Sequence, residues 1–94
     1  MPLFVISFKD KPGAGPLRAA TRDEHLAYMS ASGIIKLGGP YLNDKAEPVG
    51  SLIIVEAADE AQVQAFMADE PYYKAGVMAD FEVTPWRYTA GQLP

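Results

Sequence analysis

The chain has 94 residues, one histidine and no cysteine, and its 8 basic and 12 acidic side chains leave a net charge of -4. That length holds one hydrophobic core, so a single domain over 1–94 is expected, with 1–88 as its core and 89–94 as a tail. The acidic balance argues against a nucleic-acid binder, the missing thiols exclude disulfides and Cys-based zinc, and a lone histidine disfavours a metal cluster.

At the N-terminus, "MPLFVISF" has no basic run before it and too short an apolar stretch for a signal peptide or a membrane span, so a cytoplasmic protein is expected. "LFVISF", apolar at both alternating sets of positions, reads as a central strand, and "KDKPGAGP" as the loop leaving it. A helical pattern runs from Leu17 and stops at Gly33, a favourable C-terminal glycine. "IIKLGGPYL" is a second strand, "NDKAEPVG" a turn and "SLIIVEA" a third strand rich in β-branched residues. Asp59 opens a second helix with Gln62 three residues on, and Val63, Phe66 and Met67 make its buried stripe. "EPYYKAG" adds a helical turn with Pro71 at its first position. "ADFEVTPWRY" closes as a strand that Pro85 confines to an edge.

The order βαββαβ predicts an α+β, ferredoxin-like fold with a four-stranded antiparallel sheet and both helices on one face. Phe4, Ile6, Phe8, Trp86 and "LIIV" supply more apolar surface than two short helices cover. The uncovered sheet face predicts a partner, a second copy packed sheet to sheet as a homodimer.

The first helix carries the unusual feature. At 100° per residue, Arg18, Arg22, His25, Leu26 and Met29 fall within an arc of about 100°. The basic groups thus share a side with apolar residues instead of lying with Asp23 and Glu24 on the wet side. Arginine stems do lie along apolar surface with their heads in water, and single histidines are often structural. As a set, however, the guanidiniums suit a small anionic molecule, whose oxygens they grip bidentately, and the imidazole suits proton transfer near neutral pH. An imidazole base needs an acceptor to set its tautomer, and two carboxylates qualify: Asp10, where the first strand ends, and Glu70, before Pro71. Each also has a plain role, Asp10 as a turn residue and Glu70 as a helix-start charge.

These residues resemble a known pattern. Asp10, Arg18, Arg22 and "HL" at His25–Leu26, then "GGP" at Gly38–Pro40, "GS" at Gly50–Ser51 and "EPYYKAGVMADFEVTPW" at Glu70–Trp86, are similar to the YCII-related (YciI-like) family along nearly the whole chain. The resemblance implies a ferredoxin-like domain paired as a dimeric α+β barrel, with an active site of histidine and aspartate. His25 carries the first role and Asp10 most directly the second. Glu70 stands where the family usually has aspartate, so the imidazole's partner stays open between Asp10 and Glu70. Some members of the family resemble proton-transferring lyases or dehalogenases of aromatic degradation, which share the barrel with muconolactone isomerases.

Gly38 and Gly39 within a strand mark either a bulge or a close backbone approach, the latter placing a ligand across Gly39 and Pro40. Ser51 either bonds that ligand or faces solvent. The expected function is a cofactor-independent lyase, isomerase or dehalogenase: His25 transfers the proton, Asp10 or Glu70 orients it, and Arg18 and Arg22 hold the anion. The alternative is a non-catalytic small-molecule-binding or regulatory module using the same cleft. RNA recognition, which shares the strand order, fails on charge and on a third strand without aromatics. Cofactor-free oxygenases share the barrel too, and product analysis separates them from a lyase.

Overall fold

Alternation along the strands decides which side chains form the core. In a computed structural model that describes residues 1–92, β1 (Leu3–Lys9) buries Phe4, Ile6 and Phe8 and leaves Leu3, Val5 and Ser7 half-buried. β1 pairs antiparallel with β3 (Pro48–Glu56), setting Phe4, Ile6 and Phe8 opposite Val55, Ile53 and Ser51. β2 (Ile35–Leu42) flanks β3, and β4 (Glu82–Trp86) flanks β1, giving the antiparallel order β2-β3-β1-β4. Pro85 sits opposite Phe4 in β4, an edge strand, where its missing N–H leaves no central ladder gap.

α1 spans Gly15–Ser32, starting two residues before the expected Leu17 because Pro16 fits the first turn, and Gly33 ends it at φ 72°. α2 (Glu60–Ala68) is capped by Asp59, whose carboxylate accepts the Gln62 N–H at 2.9 Å. Val63, Phe66 and Met67 of α2 join Phe4, Ile6, Val55, Val77 and Met78 in one apolar cluster. α3 (Pro71–Ala75) is the single extra turn, begun by Pro71 and ended by Gly76 at φ 85°. The chain thus has the βαββαβ ferredoxin-like α+β fold, with α3 added before β4.

Of the apolar surplus expected on the sheet, Phe4, Ile6 and Phe8 lie under the helices, and the open face carries Leu3, Val5, Leu37, Leu52 and Trp86. Period two permits either assignment when both sets are apolar, and the packing of α2 selects the even set. The glycine pair is not a bulge: Gly38 and Gly39 pair in register with Ile53 and Leu52, and the irregularities fall between Ile35 and Leu37 and between Tyr41 and Leu42. Among the described residues no helix is long and apolar enough to cross a membrane. Of the expected tail, residues 93 and 94 lie outside the described residues.

Candidate active site

α1 covers the β2–β3 half of the sheet while α2 packs over the remainder, and a cavity of about 790 Å³ opens between α1 and that half. Arg18, Arg22, His25, Leu26 and Met29 line one wall, which is the arc expected from helical spacing. Gly38, Gly39, Pro40, Ser51 and Ile53 line the other. Leu26 is 45% exposed, so it stands at the opening and does not anchor the core.

The two carboxylates take different partners. Asp10 leaves the end of β1, its N–H held by the Val49 carbonyl at 3.0 Å, and turns its side chain to Arg18. Arg18 donates Nε to Oδ2 of Asp10 at 2.7 Å and Nη2 to Oδ1 at 3.0 Å. Nη2 also reaches the Gly50 carbonyl at 3.0 Å and Ser51 Oγ at 3.1 Å. Arg18 therefore grips Asp10, not a ligand, with its bidentate edge. Its remaining nitrogen, Nη1, has no protein partner among the described residues. Ser51 is buried and tied to Arg18, rather than facing solvent at a strand start.

Glu70 is fully buried, and it accepts three donors: Nδ1 of His25 at 2.5 Å, the Tyr72 N–H at 3.2 Å and the Tyr73 N–H at 3.3 Å. The carboxylate thus caps α3 and holds the imidazole at once. An ionised carboxylate only accepts, so Nδ1 carries the hydrogen, and in the neutral ring the lone pair lies on Nε2. Among the described residues no buried side-chain nitrogen or oxygen is left without a partner, and Nε2 makes no protein hydrogen bond. Nε2 must then be open, and the space beside it is the cavity.

Tyr72, passed over in the sequence, completes this wall. Its ring stacks on His25 at 3.9 Å between centroids and 5° between planes, with the Arg18 guanidinium 4.7 Å from its centroid. Burial raises the phenol above its ordinary 10.0, outweighing the lowering effect of Arg18 and Arg22, with Glu70 and Asp10 adding to the rise. Only its place directly after Glu70–Pro71, at the start of a capped turn, could have drawn attention to it. Arg22 lines the cavity from an exposed position and forms no ion pair or hydrogen bond among the described residues. Among those residues no three His, Asp or Glu side chains gather as metal ligands.

Several solved structures share this architecture. The chain is similar to 5-chloro-2-hydroxyhydroquinone dehydrochlorinase (TftG) from Burkholderia phenoliruptrix, solved with 2,5-dihydroxybenzoquinone. They share 34% identity at a TM-score of 0.84, over 93% of this chain and 95% of that one. It is also similar to an antibiotic biosynthesis monooxygenase, 16% identical with a TM-score of 0.59, covering 96% of this chain and 100% of that one. Rv0793 from Mycobacterium tuberculosis is likewise 16% identical at 0.59, over 97% and 98%. At such identity these last two share the fold alone. No protein of curated function matches the chain by sequence. The model of the YCII-related domain matches residues 2–87, nearly the whole chain, and the chain belongs to that family.

Proposed function

We propose that the chain is a cofactor-independent enzyme that moves a proton during elimination or isomerisation of a small, planar, anionic substrate. The observation that carries this reading is the His25–Glu70 contact, which leaves Nε2 with its lone pair toward the cavity. Nε2 is the general base, Glu70 orients it, and Arg18, neutralised and fixed by Asp10, offers Nη1 to one substrate oxygen. Arg22 supplies the free positive charge. The dehydrochlorinase among the similar structures favours a hydroxylated, halogenated ring as substrate class.

For such a ring the atoms balance without a co-reactant. The ring first ketonises: one O–H gives up its proton, its electron pair forms a carbonyl, and the carbon that bears the halide takes up a proton and becomes tetrahedral. Nε2 then takes the proton of a second, conjugated O–H, whose pair forms the second carbonyl; the double bond between shifts, and the halide leaves the tetrahedral carbon with the carbon–halogen pair. The substrate loses one hydrogen halide, and the imidazolium returns its proton to solvent. The test is chloride release from 5-chloro-2-hydroxyhydroquinone. His25→Asn should lower the rate by about 10²- to 10⁴-fold, the range for a positioned acid–base group, with the melting temperature of the protein largely kept. Undiminished release by that variant would overturn the reading.

The open sheet face supports pairing with a second copy. Leu3, Val5, Leu37 and Leu52 are half-buried there and Trp86 is 38% exposed, an apolar surface continuous across the strands. Sedimentation should give the mass of a dimer, and Trp86→Glu should give a monomer.

A further inference from the structure

We propose that the Tyr72 hydroxyl is a hydrogen-bond donor of the cavity, placed to hold one oxygen of a planar substrate that carries several. This deepens the reading of the cavity as a small-molecule site and rests on it. Tyr72 is only 2% exposed, and its hydroxyl has no protein partner among the described residues. Yet no buried side-chain oxygen among them is left unpaired. The exposed sliver of the residue therefore includes the hydroxyl, and the space that Tyr72 borders is the cavity. A hydroxyl that opens on the cavity and has no protein acceptor is free to donate to a ligand oxygen placed there.

The neighbours define what that ligand looks like. Arg18 Nη1, the Tyr72 hydroxyl and His25 Nε2 each offer one polar atom, from side chains packed on the same aromatic ring. None of these three presents the two parallel donors that a carboxylate takes bidentately, because the Arg18 fork is on Asp10, and the free fork of Arg22 lines the cavity from an exposed position. Three single sites suit separate oxygens around one flat ring, as in a hydroxyquinone or polyhydroxybenzene. The spacing is rigid: Oε1 of Glu70 accepts both His25 Nδ1 and the Tyr72 backbone N–H, so one atom ties the imidazole to the tyrosine. A phenol is protonated at neutral pH and thus a donor, and burial raises it further.

Tyr72→Phe keeps the ring, the stack and the backbone cap, and deletes only the hydroxyl. Calorimetric titration of the full chain with 2,5-dihydroxybenzoquinone is the experiment, with thermal melting of both proteins alongside. The expected result is affinity lower by about tenfold in Tyr72→Phe, the size of one hydrogen bond, with an unchanged melting temperature. Equal affinity in both proteins overturns this inference and leaves the site reading standing. A large fall in melting temperature overturns it too, since the hydroxyl would then be holding the fold. Failure of the unmodified protein to bind the quinone overturns the inference together with the reading beneath it.

Discussion

His25 hangs from a carboxylate that is also a helix cap: Oε1 of Glu70 lies 2.5 Å from the imidazole Nδ1 while the same side chain accepts the first N–H groups of α3. The proton-handling ring and the start of α3 are therefore set by one buried group, and any motion of that turn moves the ring.

Glu70→Gln separates the two duties. The amide oxygen can still cap α3, so the stability loss should stay near the ~1 kcal/mol of a weakened cap. The amide nitrogen, however, must replace one of the two acceptors: toward Nδ1 it favours the tautomer with its hydrogen on Nε2 and removes the base, and toward the Tyr73 N–H it keeps the tautomer but removes the negative charge that stabilises the imidazolium. Turnover should fall by up to about 10⁴-fold, as when the carboxylate of a serine protease triad becomes an amide. Rates measured beside urea melts check both halves. Unchanged turnover would mean that Glu70 is a cap only.

Asp10 predicts the opposite balance. Asp10→Asn leaves the Arg18 guanidinium uncompensated in a buried position, which should cost about 3–5 kcal/mol of stability. Replacing Arg18 by Met in the same chain removes the orphaned charge and should recover much of that loss. Urea denaturation of the single and double variants checks it. A single variant as stable as the parent would show that solvent reaches the pair.

Helical spacing was legible, because it depends on one element: Arg18, Arg22 and His25 fall on one arc and line one cavity. The strand order followed from local pattern in the same way. The imidazole's partner was not legible. Glu70 is 45 residues from His25, and Asp10 lies closer in sequence yet turns to Arg18. Only the placement of α3 against α1 decides between them. The inward face of β1 was hidden for a related reason, since Leu3 and Val5 are as apolar as Phe4 and Ile6.

Alkaline pH probes two phenols, Tyr72 buried and Tyr28 half-buried. Burial raises both Tyr72 and Tyr28 above 10.0, helped at Tyr28 by Asp69 and Glu70. The folded chain therefore holds these protons after the unfolded chain has released them. Stability from this source is level below pH 10 and falls as pH rises past it, because the folded state then binds more protons. Tyr72→Phe should show a shallower decline than the parent between about pH 9.5 and 11 by urea melts. Parallel curves would mean that Tyr72 ionises freely in the fold.

Gly50 is a packing constraint on β3. A Cβ there would run into the Phe8 carbonyl oxygen and stand 3.1 Å from the Tyr41 ring. Its own carbonyl takes the Arg18 Nη2. Gly50→Ala should force β1 and β3 apart locally and cost about 1–3 kcal/mol, as overpacked sites do. A denaturation midpoint equal to the parent's would contradict this close approach.

Arg22 is the converse case, a charge with a ligand role and little structural one. It is exposed and unpaired among the described residues, so Arg22→Ala should change stability by no more than about 0.5 kcal/mol. Its effect should appear in anion binding. Without the second guanidinium, affinity for a hydroxyquinone anion should fall about tenfold, in the range of one charge-assisted hydrogen bond. The remaining binding should also depend less steeply on salt, since one unscreened attraction is gone. Titrations at low and high ionic strength measure both quantities. Identical salt slopes in parent and variant would place Arg22 outside the field that the ligand feels.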